Sequence, residues 1–440
     1  MARPWCIEII WCNIIMSENI DIQLQAEMAA MGEAARSATT ALRLADTSKK
    51  KLGLQEMAKA IRSSEAAIIK ANEKDVSLGK EKGLSDAMVD RLILTPERIE
   101  GIASGLEAIA ALPDPVGSID ETWTRPNGLK LSKVRTPIGV IGMIYESRPN
   151  VTADAAGLCI WSGNACILRG GSEAAFSNRA IHLAIQQGLD KAGLPINAAQ
   201  LVQTTDRAAV GMMLGGLNDN VDLIIPRGGK GLVGRVQTDA RVPVLAHLEG
   251  LCHSYVHAGA DQDKALKLIE NAKLRRTGVC GSTETALIDK SIAADFIPKL
   301  VSNMSDLGCE IRACETSCEI SPAATQASEE DFFTEHLAAI LNVKVVDGLQ
   351  GAINHIGHYG SGHTDCIITE DDQAAQTFLA EIDSAIVVHN ASTQFADGGE
   401  FGFGAEIGIA TGRLHARGPV GAQHLTTYKY TVQGNGQVRP

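Results

Sequence analysis

Apolar residues recur every three or four positions over residues 21–110, as in LQEMAKAIRSSEAAIIKANEKDV. This spacing places the apolar side chains on one face of a helix, so the pattern predicts a region of several helices. The pattern ends in residues 112–118, LPDPVGS, where two prolines interrupt it. Residues 119–136 then predict a β-hairpin that turns at the segment 126–128, Pro-Asn-Gly.

Beyond residue 137, short apolar segments alternate with helical patterns. Strands are expected at 138–145, 165–170, 201–205, 221–226 and 242–247. This alternation is typical of a parallel α/β sheet, in which ligands bind at the carboxyl ends of the strands. A second α/β unit is expected over 262–390, and a late strand within 424–434.

The composition is ordinary for a globular enzyme and excludes some partners. Of 440 residues, 45% are hydrophobic and 21% are charged, the net charge is −12, and Lys and Arg form no long basic run. Nucleic acids and anionic membrane surfaces bind clustered basic residues, so neither is an expected partner. Ten cysteines in a chain this long, without a secretory signal, indicate reduced thiols and a cytoplasmic location.

The first segment of the chain has an unusual composition. Residues 5–15 are apolar but are interrupted by Glu8. A membrane span needs about 20 apolar residues, and a signal peptide needs a basic start, so the segment fits neither. Met16 opens a sequence typical of a cytosolic start. We therefore expect residues 1–15 to be an upstream extension or a misassigned start, and we treat 1–20 as an extension of doubtful structure.

Two groups of residues have side chains that bind metals, but their spacing is not that of a metal site. Cys309, Cys314 and Cys318 form a C-x4-C-x3-C cluster, and His358 and His363 lie in a Gly-rich stretch. No second pair accompanies either group at zinc-finger spacing. We therefore expect no metal.

Cys280 is a candidate nucleophile because of its neighbours. It lies between Gly278 and Gly281 in the sequence RRTGVCGSTET. Small neighbours leave room for a substrate carbonyl and let backbone N–H groups point at the oxyanion that forms. The preceding Arg275 and Arg276 would lower the thiol pKa. The alternative is that Cys280 is a buried structural thiol.

A Gly-rich turn after residue 226 is a candidate phosphate-binding site. Gly229, Gly231 and Gly234 form G-x-G-x-x-G between a predicted strand and a predicted helix. Backbone N–H groups at such a turn can face a pyrophosphate, although a plain tight turn fits equally well. The turn is not a P-loop, because neither Ser nor Thr follows Lys230.

Polar residues also follow the predicted strand 138–145. They are Glu146, Ser147, Arg148 and Asn150. Polar groups at the carboxyl end of a strand often face a ligand. The alternative is that Asn150 or Thr152 caps the helix that follows.

The order of these motifs resembles a known family. The chain contains TPIGVIG, SGNACILRGGSE, the Gly turn, HLEGLCH, TGVCG, GAEIGI and LHARGPVG, in that order. It is similar in this respect to the gamma-glutamyl phosphate reductases of the aldehyde dehydrogenase superfamily, over roughly residues 20–432. YESRPNVT, NAKLRRTGVC, YGSGH and LHARGP resemble these reductases in particular, rather than the superfamily.

The resemblance implies an α/β, aldehyde-dehydrogenase-like fold with a Rossmann-type cofactor domain, an α/β catalytic domain and a small oligomerisation element. The expected boundaries are 21–118 and 137–261 for the dinucleotide-binding domain, 262–390 for the catalytic domain, 119–136 and 424–434 for the oligomerisation hairpin and tail, and 391–423 for a return to the cofactor domain. A homo-oligomer is the expected assembly.

The resemblance also implies roles for individual residues. Cys280 corresponds to the nucleophile, and Glu249 lies near the general base of the aldehyde-oxidising members. The superfamily motif that supplies an oxyanion-binding Asn is replaced by Glu-Ser-Arg, so Asn150 is the nearest candidate donor. Arg148 and Arg276 are candidates for binding the substrate phosphate or α-carboxylate. The cofactor-binding candidates are Arg169, Ser172, Arg227, Gly228, Gly229, Gly234 and Glu335.

The implied reaction is the NADPH-dependent reduction of L-glutamate 5-phosphate to L-glutamate 5-semialdehyde and phosphate, through a thioester on the cysteine. This is the second step of proline biosynthesis, and glutamate 5-kinase is the implied functional neighbour. The alternatives are another NAD(P)-dependent aldehyde dehydrogenase, either non-phosphorylating or coenzyme-A-acylating, and a non-catalytic relative of the fold. The presence of Cys280 argues against the last alternative.

Overall fold

The computed structural model describes the backbone of residues 5–439 and the side chains of residues 22–86 and 88–439. Contacts between residues divide the chain into two compact units. The first unit contains the residues up to 245 together with those from 421 onward, and the second contains residues 246–420. Within the described residues, none of the helices combines the length and the apolarity that a membrane span requires.

The first unit begins with five helices, as the apolar spacing predicts. The helices are α1 (Trp5–Leu44), α2 (Thr47–Ser63), α3 (Glu65–Glu81), α4 (Asp86–Leu92) and α5 (Pro96–Ala111). Helix α1 passes through residues 5–20, whose structure the sequence left in doubt. The α/β part of the unit contains β1 (Ile119–Thr124), β2 (Lys130–Pro137), β3 (Val140–Tyr145), α6 (Val151–Trp161), β4 (Ala165–Gly170), α7 (Ala175–Lys191), β5 (Ala199–Leu201), α8 (Arg207–Leu214), β6 (Leu223–Arg227) and α9 (Lys230–Asp239).

The second unit repeats the alternation of strands and helices. Its elements are β7 (Cys252–Val256), α10 (Gln262–Leu274), β8 (Thr283–Asp289), α11 (Ala293–Asp306), β9 (Glu310–Ala313), α12 (Glu315–Ile320), β10 (Thr325–Gln326), β11 (Ile340–Val346), α13 (Gly348–Tyr359), β12 (Thr364–Ile368), α14 (Asp372–Glu381), β13 (Ile386–His389), β14 (Ile409–Ala410) and β15 (Gly418–Pro419). The last strand, β16 (Thr426–Gln433), belongs to the first unit.

The main sheet of the first unit is parallel and has the order β5-β4-β3-β6. The chain proceeds from β3 outward to β4 and β5, and then returns to place β6 on the other side of β3. The direction of winding therefore reverses between β3 and β6. In open α/β sheets, ligands bind outside the carboxyl ends of the strands at such a reversal.

Two of the predicted strands differ from the observed ones. The segment predicted at 201–205 is a strand only to Leu201, because Thr204 and Asp206 form local side-chain hydrogen bonds that lead into α8. The segment predicted at 242–247 makes a single bridge with β6, between Val244 and Ile224. Pro243 has no N–H group to donate, so this segment does not extend the sheet.

The predicted hairpin and late strand form one antiparallel sheet, in the order β1-β2-β16. The turn of the hairpin closes through the Arg125 N–H, which donates to the Leu129 carbonyl. Gly128 has a φ of 86°, a conformation that favours glycine. The role of this sheet in oligomerisation stays a prediction.

The seven-stranded sheet of the second unit has the order β10-β9-β11-β8-β7-β12-β13, and all of its pairs are parallel. Strand β7 lies inside this sheet, so the second unit begins at residue 246 and not at the expected 262. Residues 391–420 also belong to it, because the Gln394 amide donates to the Ala272 carbonyl and the Thr411 N–H to the Ala246 carbonyl. The chain returns to the first unit at 421, not at 391.

An ion pair is buried in the second unit. The Lys273 ammonium, at the end of α10, donates to Glu284 Oε2, at the start of β8, over 2.7 Å. The side chains are 0% and 2% exposed. Desolvation raises the pKa of Glu284 to about 7, although the Lys273 charge opposes this shift. A buried carboxylate depends strongly on its cation, because water cannot replace it.

We expect Lys273→Met to lower the free energy of unfolding by about 3–5 kcal/mol, since it leaves the Glu284 charge without its partner. In this variant the pKa of Glu284 rises further above its unfolded value. The deficit should therefore grow as the pH rises above about 7, where the wild-type carboxyl ionises and the variant carboxyl is still protonated. Denaturant unfolding at several pH values measures the effect. Lys264→Met is the control, because it removes the exposed pair with Glu370, and an equal loss in the two variants would contradict the prediction.

Candidate active site

A Gly-rich turn lies at the carboxyl end of β6, beside the reversal of strand order in the first unit. Strand β6 ends at Arg227, Gly228 and Gly229 form the turn, and α9 begins at Lys230. The context predicted for G-x-G-x-x-G, after a strand and before a helix, is therefore present. Gly234 lies within α9. Backbone N–H groups at the start of a helix favour anions, so this turn fits a pyrophosphate.

The Glu146 carboxylate is an anionic group that contacts this turn. Its Oε2 accepts a hydrogen bond from the Gly229 N–H at 3.0 Å. A Cβ on Gly228 would lie 2.5 Å from the same oxygen and 2.8 Å from Leu232 Cδ2. Gly228 therefore leaves space beside the turn for the Glu146 carboxylate and the Leu232 side chain, both of which would have to shift for a larger residue.

Arg169 and Ser172 lie at the carboxyl end of β4. The Arg169 guanidinium donates to the carbonyls of Gly170 at 2.5 Å and Thr205 at 2.9 Å. Burial of this side chain lowers its pKa from the usual value. Ser172 is exposed and begins a short helical turn. Arg169 is thus held against the backbone, while Ser172 faces solvent.

Glu173 folds back over the turn before it. Its Oε1 accepts hydrogen bonds from the Ser147 N–H at 2.5 Å and from the Ser147 hydroxyl at 3.0 Å. A Cβ on Gly171 would lie 2.1 Å from that oxygen. Ser147 has a φ of 44°, which is uncommon for a residue other than glycine. The Glu173 carboxylate is therefore engaged within the protein.

Arg148 and Asn150 follow the end of β3. Asn150 is exposed and occupies the position before α6, but its side chain makes no capping bond. Its amide instead donates to Asp154 Oδ2 at 2.8 Å, and desolvation raises the pKa of Asp154 to about 6. Arg148 is half-buried. The roles of Asn150 toward the oxyanion and of Arg148 toward the substrate stay predictions.

Cys280 lies in the second unit, on the loop that connects α10 to β8. Its side chain is half-buried, and the following Gly281 is buried. The preceding Gly278 is exposed and would accept a Cβ without contact, whereas a Cβ on Gly281 would lie 3.1 Å from the Thr393 carbonyl. The thiol is thus accessible on a loop whose backbone is tightly packed on one side.

Gly250 is packed directly against the backbone of Cys280. A Cβ at Gly250 would lie 2.0 Å from the Cys280 carbonyl oxygen and 2.7 Å from its carbon. The same carbonyl accepts a hydrogen bond from the Cys252 thiol, with 3.1 Å between sulfur and oxygen. Desolvation raises the pKa of Cys252 well above its usual value, so this thiol stays protonated and able to donate.

Two histidines lie beside the Cys280 sulfur. One nitrogen each of His247 and His363 lies within 4.8 Å of the other and of the sulfur. His363 is fully buried, and desolvation lowers its pKa to about 3. Among the described residues, this is the sole place where three His, Cys, Asp or Glu side chains converge as metal ligands would. The triplet of Cys309, Cys314 and Cys318 does not converge in this way.

The two predicted carboxylates are also in the second unit. Glu335 Oε1 accepts a hydrogen bond from the Gly250 N–H at 3.0 Å. Glu249 is half-buried and precedes Gly250. Arg276 is exposed, and its carbonyl accepts a bond from the Gln394 amide. The structure thus connects Glu335 to the Cys280 loop through Gly250, and its predicted contact with the nicotinamide ribose is untested.

Sequence reasoning gave no role to His247 or Gly250, although both lie in the HLEGLCH motif. The motif was identified by its similarity to a family, but the order of its residues does not reveal what each residue contacts. His363 was considered only as a metal ligand in its own stretch of sequence. Its proximity to Cys280 arises from β12 and the loop before β8, which are about 80 residues apart along the chain.

Comparisons with known proteins agree with this architecture. Residues 19–333 match the model of the aldehyde dehydrogenase family. A gamma-glutamyl phosphate reductase from Caulobacter vibrioides is 61% identical over 413 residues, which cover 94% of this chain and 100% of that protein. The crystal structure of gamma-glutamyl phosphate reductase from Thermotoga maritima has a TM-score of 0.92 and 43% identity, and the match covers 94% of this chain and 100% of that one.

A more distant structure shares the fold alone. The acetylating aldehyde dehydrogenase from Geobacillus thermoglucosidasius has a TM-score of 0.68 at 19% identity, over 96% of this chain and 99% of its own. The predicted α/β, aldehyde-dehydrogenase-like fold is therefore confirmed. This chain belongs to the aldehyde dehydrogenase family, among the gamma-glutamyl phosphate reductases.

Proposed function

We propose that this chain reduces L-glutamate 5-phosphate to L-glutamate 5-semialdehyde and phosphate with NADPH, through a thioester on Cys280. The reaction is the second step of proline biosynthesis. The family uses NAD(P), and relatives that are 54–61% identical over nearly the whole chain are named gamma-glutamyl phosphate reductase. The observation that carries the proposal is the half-buried Cys280 thiol, on a loop flanked by glycines, in a chain this similar to those reductases.

The chemistry follows from the reactivity of an acyl phosphate. The Cys280 thiolate attacks the carbonyl carbon and forms a C–S bond, while the C–O bond to phosphate breaks and phosphate leaves with the electron pair. The product is a thioester, which accepts a hydride where a carboxylate would not. The nicotinamide supplies that hydride when bound. Collapse of the hemithioacetal then releases the aldehyde and returns the thiolate to Cys280.

The remaining site residues are assigned by what this reaction requires. Asn150 is proposed to donate to the oxyanion, and Arg148 and Arg276 to bind the phosphate or the α-carboxylate, because Arg binds such groups bidentately. No water attacks the thioester in the reductive direction. Glu249 is therefore either structural or needed only in the reverse reaction. Glu335 is proposed to bind the nicotinamide ribose.

The preference for NADPH is supported by the residues that follow β4. Many NAD-using relatives place an acidic residue at the position of Ser172, where a carboxylate would repel a 2′-phosphate. Ser172 is neutral and exposed, and the nearby Arg169 and Arg207 carry positive charge. The Glu173 carboxylate is held by Ser147. These features favour a cofactor with an additional phosphate dianion.

The proposed assembly is a homo-oligomer formed through the β1-β2-β16 sheet. Within the described part of the chain, strand β16 is paired on one side only, and Tyr428, Tyr430 and Val432 on it are about half exposed. An unpaired strand edge with apolar side chains is a common site of association. We also infer that the enzyme works in the cytoplasm, beside a glutamate 5-kinase that supplies its acyl phosphate.

The reverse assay tests the function most directly. With glutamate semialdehyde and NADP, reduction of the cofactor should require phosphate, and coenzyme A should not replace it. Cys280→Ala should lower the steady-state rate to less than about a hundredth of wild type while leaving the fold intact, because a small residue replaces one thiol. Cys314→Ala, which removes another partly exposed thiol, is the matched control. Turnover without phosphate would identify an ordinary aldehyde dehydrogenase instead.

The packing of Gly250 against Cys280 predicts a second effect. Gly250→Ala would place a methyl group 2.0 Å from the Cys280 carbonyl oxygen, so the loop must move. We expect kcat to fall by at least about a hundredfold, with a loss of stability of about 1–3 kcal/mol. Gly357→Ala is the control, because its Cβ on α13 would meet no atom within 4 Å. A Gly250→Ala enzyme with wild-type kcat would show that the loop position does not matter.

The cofactor assignment predicts the effect of a charge at position 172. Ser172→Glu should shift preference from NADPH toward NADH by roughly 1–3 kcal/mol, through repulsion of the 2′-phosphate and loss of a hydrogen bond. The measurement is kcat/KM for both cofactors. Ser63→Glu adds the same charge to an exposed position on α2 and should have no effect on preference. Equal use of the two cofactors by the wild type would contradict the assignment.

A further inference from the structure

We propose that His247, Cys280 and His363 form a Zn²⁺-binding site that reversibly masks the sulfur of Cys280. The three side chains come from separate segments of the second unit, and one ligand atom of each lies within 4.8 Å of the other two. Zn²⁺ binds thiolate and imidazole ligands, whereas Mg²⁺ and Ca²⁺ prefer oxygen ligands. A thiolate and two imidazoles therefore favour Zn²⁺. Three protein ligands also leave the fourth position of a tetrahedral ion for water.

The orientation of His363 is the first independent support. The ring is fully buried, and its Nδ1 lies 2.9 Å from the Thr364 hydroxyl and 3.6 Å from the Cys252 sulfur. Its Nε2 is buried as well, and it has no hydrogen-bond partner among the described residues. A buried nitrogen without a partner is costly, and a metal ion would satisfy it.

The orientation of His247 is the second independent support for a metal site. Its Nδ1 lies 2.8 Å from the Ile409 carbonyl oxygen, so Nδ1 carries the proton and Nε2 presents its lone pair. A histidine that ligates zinc usually donates its other N–H to a carbonyl or carboxylate, which fixes the tautomer and the direction of the ring. The planes of the His247 and His363 rings stand at 77° to each other, with their centroids 5.2 Å apart.

The distances require only a small adjustment. Zn–S bonds of about 2.3 Å and Zn–N bonds of about 2.0–2.1 Å put donor atoms about 3.3–3.6 Å apart around a tetrahedral ion. The observed upper limit of 4.8 Å is about 1.2–1.5 Å longer, which rotation about side-chain bonds can close. Because Cys280 is half-buried, an ion can enter from solvent.

Binding would follow a simple exchange. Zn²⁺ displaces the thiol proton of Cys280, which is released to solvent, and a Zn–S bond forms. No electrons are transferred, so a chelator restores the thiol. The sulfur lone pair that attacks the acyl phosphate is then engaged with the metal. This competition rests on the proposed role of Cys280 as nucleophile, whereas metal binding itself does not.

Metal binding is tested without substrate on the full-length, chelator-treated protein. Co²⁺ should bind at one equivalent and give a thiolate-to-metal charge-transfer band together with the intense visible bands of a tetrahedral ion. Zn²⁺ should displace Co²⁺. His363→Asn, His247→Asn and Cys280→Ala should each weaken Zn²⁺ binding by about tenfold or more. Circular dichroism checks the fold, and the half-buried His247 gives a usable variant if the buried His363 variant misfolds.

Matched controls are His358→Asn, an exposed histidine on α13, and Cys314→Ala, a thiol elsewhere in the second unit. Both should keep wild-type Zn²⁺ affinity. The proposal is overturned if no charge-transfer band forms, if a folded His247→Asn protein binds Zn²⁺ as tightly as wild type, or if Cys314→Ala loses the binding.

Activity separates this proposal from the proposed function. Zn²⁺ should inhibit the reductase competitively with the acyl phosphate, and a chelator should reverse the inhibition. If Cys280→Ala retains turnover, the proposed mechanism fails, but the spectroscopic result still stands or falls on its own. If Zn²⁺ binds at this site and the wild-type enzyme works at full rate with the site filled, the masking of Cys280 is refuted.

Discussion

The position of the Cys280 thiol depends on a contact that leaves no room for a side chain at residue 250. The Cys280 carbonyl lies where a Cβ of Gly250 would be, and it accepts a hydrogen bond from Cys252. Glu335 holds Gly250 from the other direction, through the backbone N–H. The loop is therefore fixed through its backbone. None of these contacts uses the Cys280 side chain.

In the first unit, too, backbone groups and a glycine shape the candidate site. Its parallel sheet reverses winding direction between β3 and β6, and the polar residues after these strands meet at that edge. Gly228 allows the Glu146 carboxylate to approach the turn, and Glu146 accepts from the Gly229 N–H. A site built from backbone N–H groups recognises the shape and charge of a pyrophosphate but not its sugar. The proposed selection between NADH and NADPH therefore rests on residues that follow the neighbouring strand β4, such as Ser172.

The hydrophobic periodicity correctly predicted elements that depend on local sequence. It was less successful where contacts between residues far apart in the sequence determine the structure. Strand β4 was predicted with its observed bounds, since its apolar residues are buried on both faces. The segment 242–247 has the same apolar character, but Pro243 prevents it from extending the sheet. The boundary at residue 246 depends on β7 joining the second sheet, which no local pattern reveals. Likewise, Cys280 was found from its flanking glycines, whereas the approach of His247 and His363 required the tertiary fold.

The buried Lys273–Glu284 pair is best understood from its place in the chain. The two residues flank the loop that carries Cys280, and the ion pair of 2.7 Å joins the end of α10 to the start of β8. The Ser282 hydroxyl donates to the Lys273 carbonyl and so also joins the two ends of this loop. Apolar residues could fill this space with less desolvation cost, but they would not fix the register of the two loop ends. The proposed attack of Cys280 on a carbonyl requires a nucleophile held in a narrow range of positions, and this directional ion pair joins the two ends of the loop that carries it.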